Sequence, residues 1–248
     1  MKILNVGSGA RCNPDWTNLD LMARPRYLAK RLTSTLPPNF VRHRLPRSLP
    51  FDDEAFDAIY CAQVIEHFPK DAAAGVLAEF RRVLRPGGVA RLIVPDFEAQ
   101  CRMYLDALTQ TDSSATGAAE ERYRFAKLWI LDQMVRTSPG GELAQFARSP
   151  IADDLRHEMR LSGNGQSRRG ALFARLPKPI QHARVLTDGE LHRWAYDRND
   201  FPKALKAVGF ASVELVPFDV SQIEEFARFD RDDRGEIQTG SLYAEATR

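Results

Sequence analysis

The chain has 248 residues, 44% hydrophobic and 27% charged, with a formal net charge of +2. That is an ordinary globular balance with room for a substantial core, and it lacks the basic excess of a nucleic-acid binder. Cys12, Cys61 and Cys101 are too few and too scattered for a disulfide framework or a metal-type pair, so no metal and a reducing, cytoplasmic setting are expected.

Ile3 to Val6 reads as a short buried strand running straight into glycines, which is unlike a secretory leader. No apolar run approaches the length of a membrane span. Trp16 to Leu19 and Val41 to Leu45 are candidate second and third strands, and Phe56 to Cys61 is a β-prone run bounded by acidic turn residues. Asp71 is placed as the N-cap of a helix carrying Val76, Leu77, Phe80, Val83 and Leu84 at helical spacing, and Pro86-Gly87-Gly88 as its stop. Val89 to Val94 is the next strand. This alternation predicts a parallel α/β sheet.

The rhythm then breaks. Residues 97–161 show helical patterns, chiefly Ala118 to Arg136, and residues 162–187 are loop-like. It resumes with a helix started by Asp200 as N-cap and Pro202 in the first turn, ending at Gly209. Val213 to Val216 and Ser241 to Ala246 read as the last strands, the final one antiparallel.

The stretch LNVGSGARCNPDWTNLD, Leu4 to Asp20, holds the first chemical signal. It has no Walker-type Gly-Lys-Ser/Thr ending. As a dinucleotide fingerprint it carries Cys12 where a third glycine would allow close helix–strand packing, and Asp20 arrives earlier than the usual acid. As a cradle for S-adenosylmethionine (SAM) it needs no third glycine. The glycines let the backbone approach the ligand, and the two oxygens of Asp20 can accept from both ribose hydroxyls. A plain turn followed by a solvated strand end remains open on these residues alone.

The downstream residues add to this. LPFDDEAFDAIYCAQVIEHF (Leu49 to Phe68) and LAEFRRVLRPGGVARLIVPD (Leu77 to Asp96), in that order after the glycine turn and the acid, resemble class I SAM-dependent methyltransferases. HRWAYDRNDFPKALKAVGF, SLYAEATR and the helical DQMVR resemble a subgroup of small bacterial methyltransferases linked to polysaccharide and cell-surface glycan synthesis. The resemblance implies a Rossmann-like, doubly wound, mostly parallel seven-stranded sheet in one domain over 1–248, with a helical insertion over 97–187 as a substrate cap. It implies SAM as cofactor and a sugar or glycan hydroxyl as acceptor. Val6, Gly7, Ser8, Gly9, Ala62 and Gln63 would line the methionine end, and Asp20 would hold the ribose. Where many members place an acid for the adenine amino group, this chain has about Arg44.

The candidate bases are His67, Asp96 and His192. His67 and Asp96 follow the fourth and fifth strands, where open α/β sheets bind ligands. Each also has a structural reading: packing for His67, helix capping for Asp96. Trp194 and Tyr196 could stack on a sugar or pack in the core. Asp132 and Arg136, four apart, can pair on one helix face; alternatively Gln133 and Arg136 contact substrate. Arg168, Arg169, Arg175 and Lys178 form a basic loop suited to a solvated surface or to a lid over an anionic substrate.

The partner expectation is a small-molecule or glycan substrate, with no nucleic acid and no membrane span. The rival functions are a non-catalytic SAM-fold subunit, a nicotinamide oxidoreductase and an RNA methyltransferase. Asp20 comes so soon after Gly9 that no full helix fits between the first two strands. The insertion or a second copy in a homo-oligomer is the expected cover for the sheet face left bare.

Overall fold

The computed structural model describes residues 1–9, 11–21, 36–113, 116–146, 177–187, 189–231 and 240–248. Within them the chain forms two compact units. One comprises Met1–Pro95, Tyr196–Phe229 and Leu242–Arg248; the other comprises Asp96–Ala195 and Asp230–Ser241.

The first unit is built on a seven-stranded sheet of order β3-β2-β1-β4-β5-β7-β6. Its strands are β1 (Ile3–Val6), β2 (Thr17–Asp20), β3 (Phe40–Arg42), β4 (Phe56–Ala62), β5 (Leu84–Pro95), β6 (Ser212–Leu215) and β7 (Ser241–Thr247). The pairs β1–β2, β1–β4, β2–β3 and β4–β5 are parallel, and β6–β7 is antiparallel. Strand β7 also runs against β5, since Gly88 pairs with Arg248 while Arg91 lies against Glu245. This is a Rossmann-like, mostly parallel sheet, with the antiparallel last strand the sequence predicts.

Helix α1 (Lys70–Val83) lays Ala73, Val76, Leu77, Phe80 and Val83 on the sheet, all of them buried. Its ends differ from expectation. Pro69 occupies the cap position, and Asp71 sits in the first turn, where its charge still suits the helix dipole. The helix ends at Val83, and Leu84 already pairs with Phe56 in β5. The Pro86-Gly87-Gly88 run therefore forms the irregular start of a strand. Gly88 is required there, because a Cβ would meet the carbonyls of Arg85 and Asp57 at 2.9 Å.

Arg82 explains why LPFDD and the LAEFRRV helix occur together. Its guanidinium donates to the carbonyls of Leu49 (3.1 Å) and Phe51 (3.0 Å) and to Asp53 (2.7 Å) and Glu79 (2.8 Å). Glu79 in turn accepts from the Leu49 amide at 2.7 Å. The two segments are a single packing lock.

The short first crossover holds no helix, as expected, and asparagines replace the missing helical hydrogen bonds. Buried Asn5 donates to the Arg11 carbonyl (2.9 Å) and to the side chain of Asn18 (3.0 Å). Buried Asn18 donates to the carbonyls of Asn13 (2.7 Å) and Trp16 (2.8 Å). An extended segment lying on a sheet has backbone groups that need partners, and these side chains supply them.

The cover over this face is a correction to the expectation. It comes from α7 (Glu224–Arg231), near the C-terminus. The rings of Phe226 and Phe229 lie 5.5 and 4.8 Å from Trp16, and 5.5 and 5.1 Å from Tyr60. Arg11 stacks on Phe229 at 4.2 Å and donates to its carbonyl. The segment leading into α7 is tied down by a fully buried Arg91–Glu245 pair at 2.9 Å. Arg91 donates to the carbonyls of Phe218 and Val220, and Glu245 accepts from the Ser221 hydroxyl and the Gln222 amide.

On the other side, α6 (Asp200–Ala207) buries Phe201 and Leu205. Asn199 holds its cap position, and Asp200 is its first residue.

The second unit is helical: α2 (Phe97–Ser113), α3 (Gly117–Val135), α4 (Gly141–Phe146) and α5 (Lys178–Thr187). Phe125 and Phe146 form its small core with Met103, Leu128, Trp129 and Leu143. The unit begins one residue before the expected insertion, runs to Ala195 and takes in residues 230–241. No helix among the described residues is long and apolar enough to cross a membrane.

Candidate cofactor and active site

Val6 ends β1 fully buried, and the chain turns through Gly7, Ser8 and Gly9. The amides of Gly7 and Ser8 both donate to the Leu19 carbonyl, at 2.8 and 3.3 Å, which ties the turn to β2. Gly7 has φ +71°, and a Cβ there would collide with Val64. Gly9 has φ +53° and faces open space, with only the Gly7 carbonyl near, at 3.9 Å. Gly7 thus permits close packing and Gly9 keeps the backbone accessible.

Asp20, at the tip of β2, accepts from the Gly9 amide through Oδ2 at 2.7 Å. This one bond fixes the carboxylate against the turn eleven residues upstream. The open space above Gly9 and a carboxylate with two acceptor oxygens suit a ligand carrying a vicinal diol. The residues present fit the adenosyl moiety of SAM.

Past β3 the chain offers His43 and Arg44 where an acid often stands. The His43 amide bonds the Asp20 carbonyl at 3.0 Å, and its ring reaches the Arg47 carbonyl at 3.2 Å. Among the described residues, no acid replaces the missing one at that tip.

Ala62 closes β4. Gln63 follows with φ +55° and an amide bonded to Ile93 at 2.8 Å. A non-glycine residue held in the left-handed region costs about 1–3 kcal/mol and persists where surrounding structure enforces it. Such strain concentrates at ligand sites, and here it lies at the end of a central strand.

A 3₁₀ turn, Ile65–His67, comes next. His67 is half-buried. Glu66 beside it is 1% exposed, and neither of its carboxylate oxygens has a hydrogen-bond partner among the described residues. Burial lifts its pKa to about 8. The sequence reading passed over Glu66 in favour of His67; the signal available was the apolar setting VIEHF, which places a glutamate among core residues.

Asp96 accepts from the amides of Glu98 (3.0 Å) and Ala99 (3.3 Å), so its side chain caps α2. The structure places His192 in the second unit, its amide bonded to the Gln133 carbonyl at 3.0 Å. Tyr196 is a core residue stacked on Phe201 at 4.9 Å, and Trp194 is 36% exposed. Asp132 and Arg136 pair at 3.3 Å. Asp132 also holds the Glu142 amide at 2.6 Å, so this carboxylate pins the start of α4. These residues border a cleft of 420 Å³ whose lining includes Arg124, Lys127, Leu131 and Val135. The basic-loop residues Arg168, Arg169 and Arg175 lie outside the described residues; Lys178 begins α5.

Residues 6–92 match the family described as a methyltransferase domain. The matched segment is similar to a methyltransferase domain. A 41-residue stretch is 46% identical to sterol 24-C-methyltransferase from Gibberella zeae, covering 16% of this chain and 10% of that protein's length. Among solved structures, the chain is similar to an S-adenosylmethionine-dependent methyltransferase from Mesorhizobium loti. That pair shares 14% identity over 100% of this chain and 90% of the other, with a TM-score of 0.46. A SAM-dependent methyltransferase from Aquifex aeolicus is 18% identical over 39% of this chain and 57% of its own, with a TM-score of 0.31.

Proposed function

We propose that the protein transfers the methyl group of SAM to a hydroxyl of a sugar or glycan intermediate. The observation that carries the cofactor half of this reading is the Asp20–Gly9 bond, which poses a diol-binding carboxylate beside an open glycine turn. The acceptor half is supported by the resemblance of the 192–210 and 241–248 segments to glycan-linked methyltransferases. It is also supported by a half-buried imidazole at the end of β4.

When bound, SAM supplies an electrophilic methyl on a sulfonium. The chain's own task is then alignment and proton handling. Holding two reactants in line can supply several kcal/mol of the barrier. Gly7 to Gly9, Asp20 and the strained Gln63 turn would fix one partner, and the segment 97–187 would shape the acceptor site. A hydroxyl nucleophile gains from a base that takes its proton as the new bond forms. His67 is the proposed base. Asp96 is engaged as a helix cap, and His192 remains a second candidate.

The reading is tested in two steps. Calorimetric titration with SAM should show binding, and Asp20→Ala should weaken it about tenfold or more while leaving the protein folded, as expected for loss of a charged hydrogen-bond acceptor. Unchanged affinity in Asp20→Ala removes the ribose role. Transfer of tritium from methyl-labelled SAM to a panel of sugars, sugar phosphates and nucleotide-sugars should then label a hydroxyl, and His67→Ala should slow that transfer. Binding of SAM with labelling confined to amine, carbon or RNA acceptors overturns the acceptor class.

A further inference from the structure

Among the described residues of the sheet unit, Glu66 is a buried acid that the packing does not account for. It sits on the turn immediately after strained Gln63, at the ligand end of β4. Its side chain is buried, and neither oxygen is hydrogen-bonded among the described residues. Burying a polar group without partners costs about 1–3 kcal/mol by protein mutational data, and more if it is charged. An apolar residue or an amide would fill the space at lower cost. Orphaned buried polar groups in native proteins therefore call for a reason.

The neighbours narrow that reason. The Cys61 thiol on β4 is itself pushed well up by burial and by the charge of Glu66. The Tyr196 phenol is pushed up to about 12, first by burial and then by the charges of Asp200 and Glu66. Both are neutral near pH 7, and neither can compensate a carboxylate charge. The His67 ring can. Its Nε2 lies 4.0 Å from Glu66 Oε1, within ion-pair range.

We propose that Glu66 is a positioning residue for His67: the buried carboxyl and the imidazole hold one proton as a unit, which orients the ring as proton acceptor for a hydroxyl substrate. This rests on the reading of His67 as the base. In its basic form the unit is a carboxylate facing Nε2–H, with Nδ1 as the proton acceptor. As the acceptor oxygen bonds to the methyl carbon, its O–H proton passes to Nδ1. The electron pair of the breaking carbon–sulfur bond goes to sulfur. The resulting imidazolium then lies against a carboxylate in a site that disfavours either charge alone. Groups coupled in this way titrate together in macroscopic steps.

The test needs no acceptor, so its failure is distinguishable from failure of the sugar reading. Histidine labelled with ¹⁵N in the full chain is followed by NMR across pH, with His67 assigned by the signal lost in His67→Gln. In the wild type the His67 ring signals should respond in the range near pH 8 where Glu66 titrates. In Glu66→Gln its loss of a proton should become a single step about one pH unit lower. Glu66→Asp should retain part of the effect. Identical His67 titrations in wild type and Glu66→Gln overturn the proposal, because a merely structural acid would change melting temperature and leave the ring unaffected. If Glu66→Gln does not fold, the carboxyl carbon of Glu66 is followed in ¹³C-glutamate-labelled wild type. Midpoints for Glu66 and His67 that move independently overturn the unit.

Discussion

Two glutamates are buried in the same sheet unit, and their surroundings are opposite. Glu245, on β7, meets a guanidinium, a hydroxyl and a backbone amide. Glu66, past β4, meets no hydrogen-bond donor among the described residues. The first lies where the chain must anchor the segment that carries α7 over the bare face of β1 and β4. The second lies where the sheet presents its ligand end. A buried acid with both oxygens engaged fixes a structure, whereas one left unengaged keeps its proton transferable.

The largest effect should come from breaking the engaged pair. Glu245→Gln removes the carboxylate that faces buried Arg91, and breaking such a pair typically costs about 3–5 kcal/mol. Urea denaturation should show a matching fall in midpoint. Because the pair also holds Phe218 and Val220, the Phe226 and Phe229 contacts should loosen with it, and Trp16 fluorescence reports that. A loss below about 1 kcal/mol would mean that the pair does not anchor α7.

The orphan acid gives a smaller effect with the opposite logic. The folded pKa of Glu66, about 8, lies above its ordinary value of 4.5. The folded state therefore holds this proton more tightly than the unfolded chain. The stability it contributes is complete below about pH 4.5 and is lost as pH rises toward 8. From pH 6 to pH 8 the wild type should lose about 2–3 kcal/mol from this group. Glu66→Gln, which mimics the protonated acid, should flatten that slope. A slope equally steep in the variant would assign the loss to other groups.

Much of the sheet was legible because its strands are short, apolar and bounded by turn residues. Ile3–Val6 and Phe56–Cys61 were placed to within a residue. The errors have local causes. Pro86-Gly87-Gly88 has the composition of a helix stop, but β5 begins at Leu84 because Phe56 pairs there. Helix α7 was missed because it is short and acidic at its start. Its signal was Phe226 and Phe229, three apart, which can reach Trp16 and Tyr60 only after folding brings positions over 160 residues apart together. The proposed cofactor cradle rests on Gly7, Gly9 and Asp20, whose backbone freedom and charge a sequence displays. Glu66 was not legible, because its distinction is what its oxygens lack, and only burial and hydrogen-bond partners reveal that.

Asp96 is a third kind of carboxylate, partly exposed and, among the described residues, engaged by backbone amides. Its Oδ1 accepts from Glu98 and Ala99, the pattern of a helix N-cap. Helix α2 is 17 residues long, and its first amides have no partner within the helix. Asp96→Ala should therefore cost about 1 kcal/mol, with Asp96→Asn losing less because its amide oxygen still caps. Thermal unfolding checks both. If Asp96 only caps, methyl transfer in Asp96→Asn should match the wild type. A large drop in turnover at unchanged stability would give this carboxylate the proton-transfer role and sharpen the contrast with Glu66, since capping and catalysis would then share one side chain.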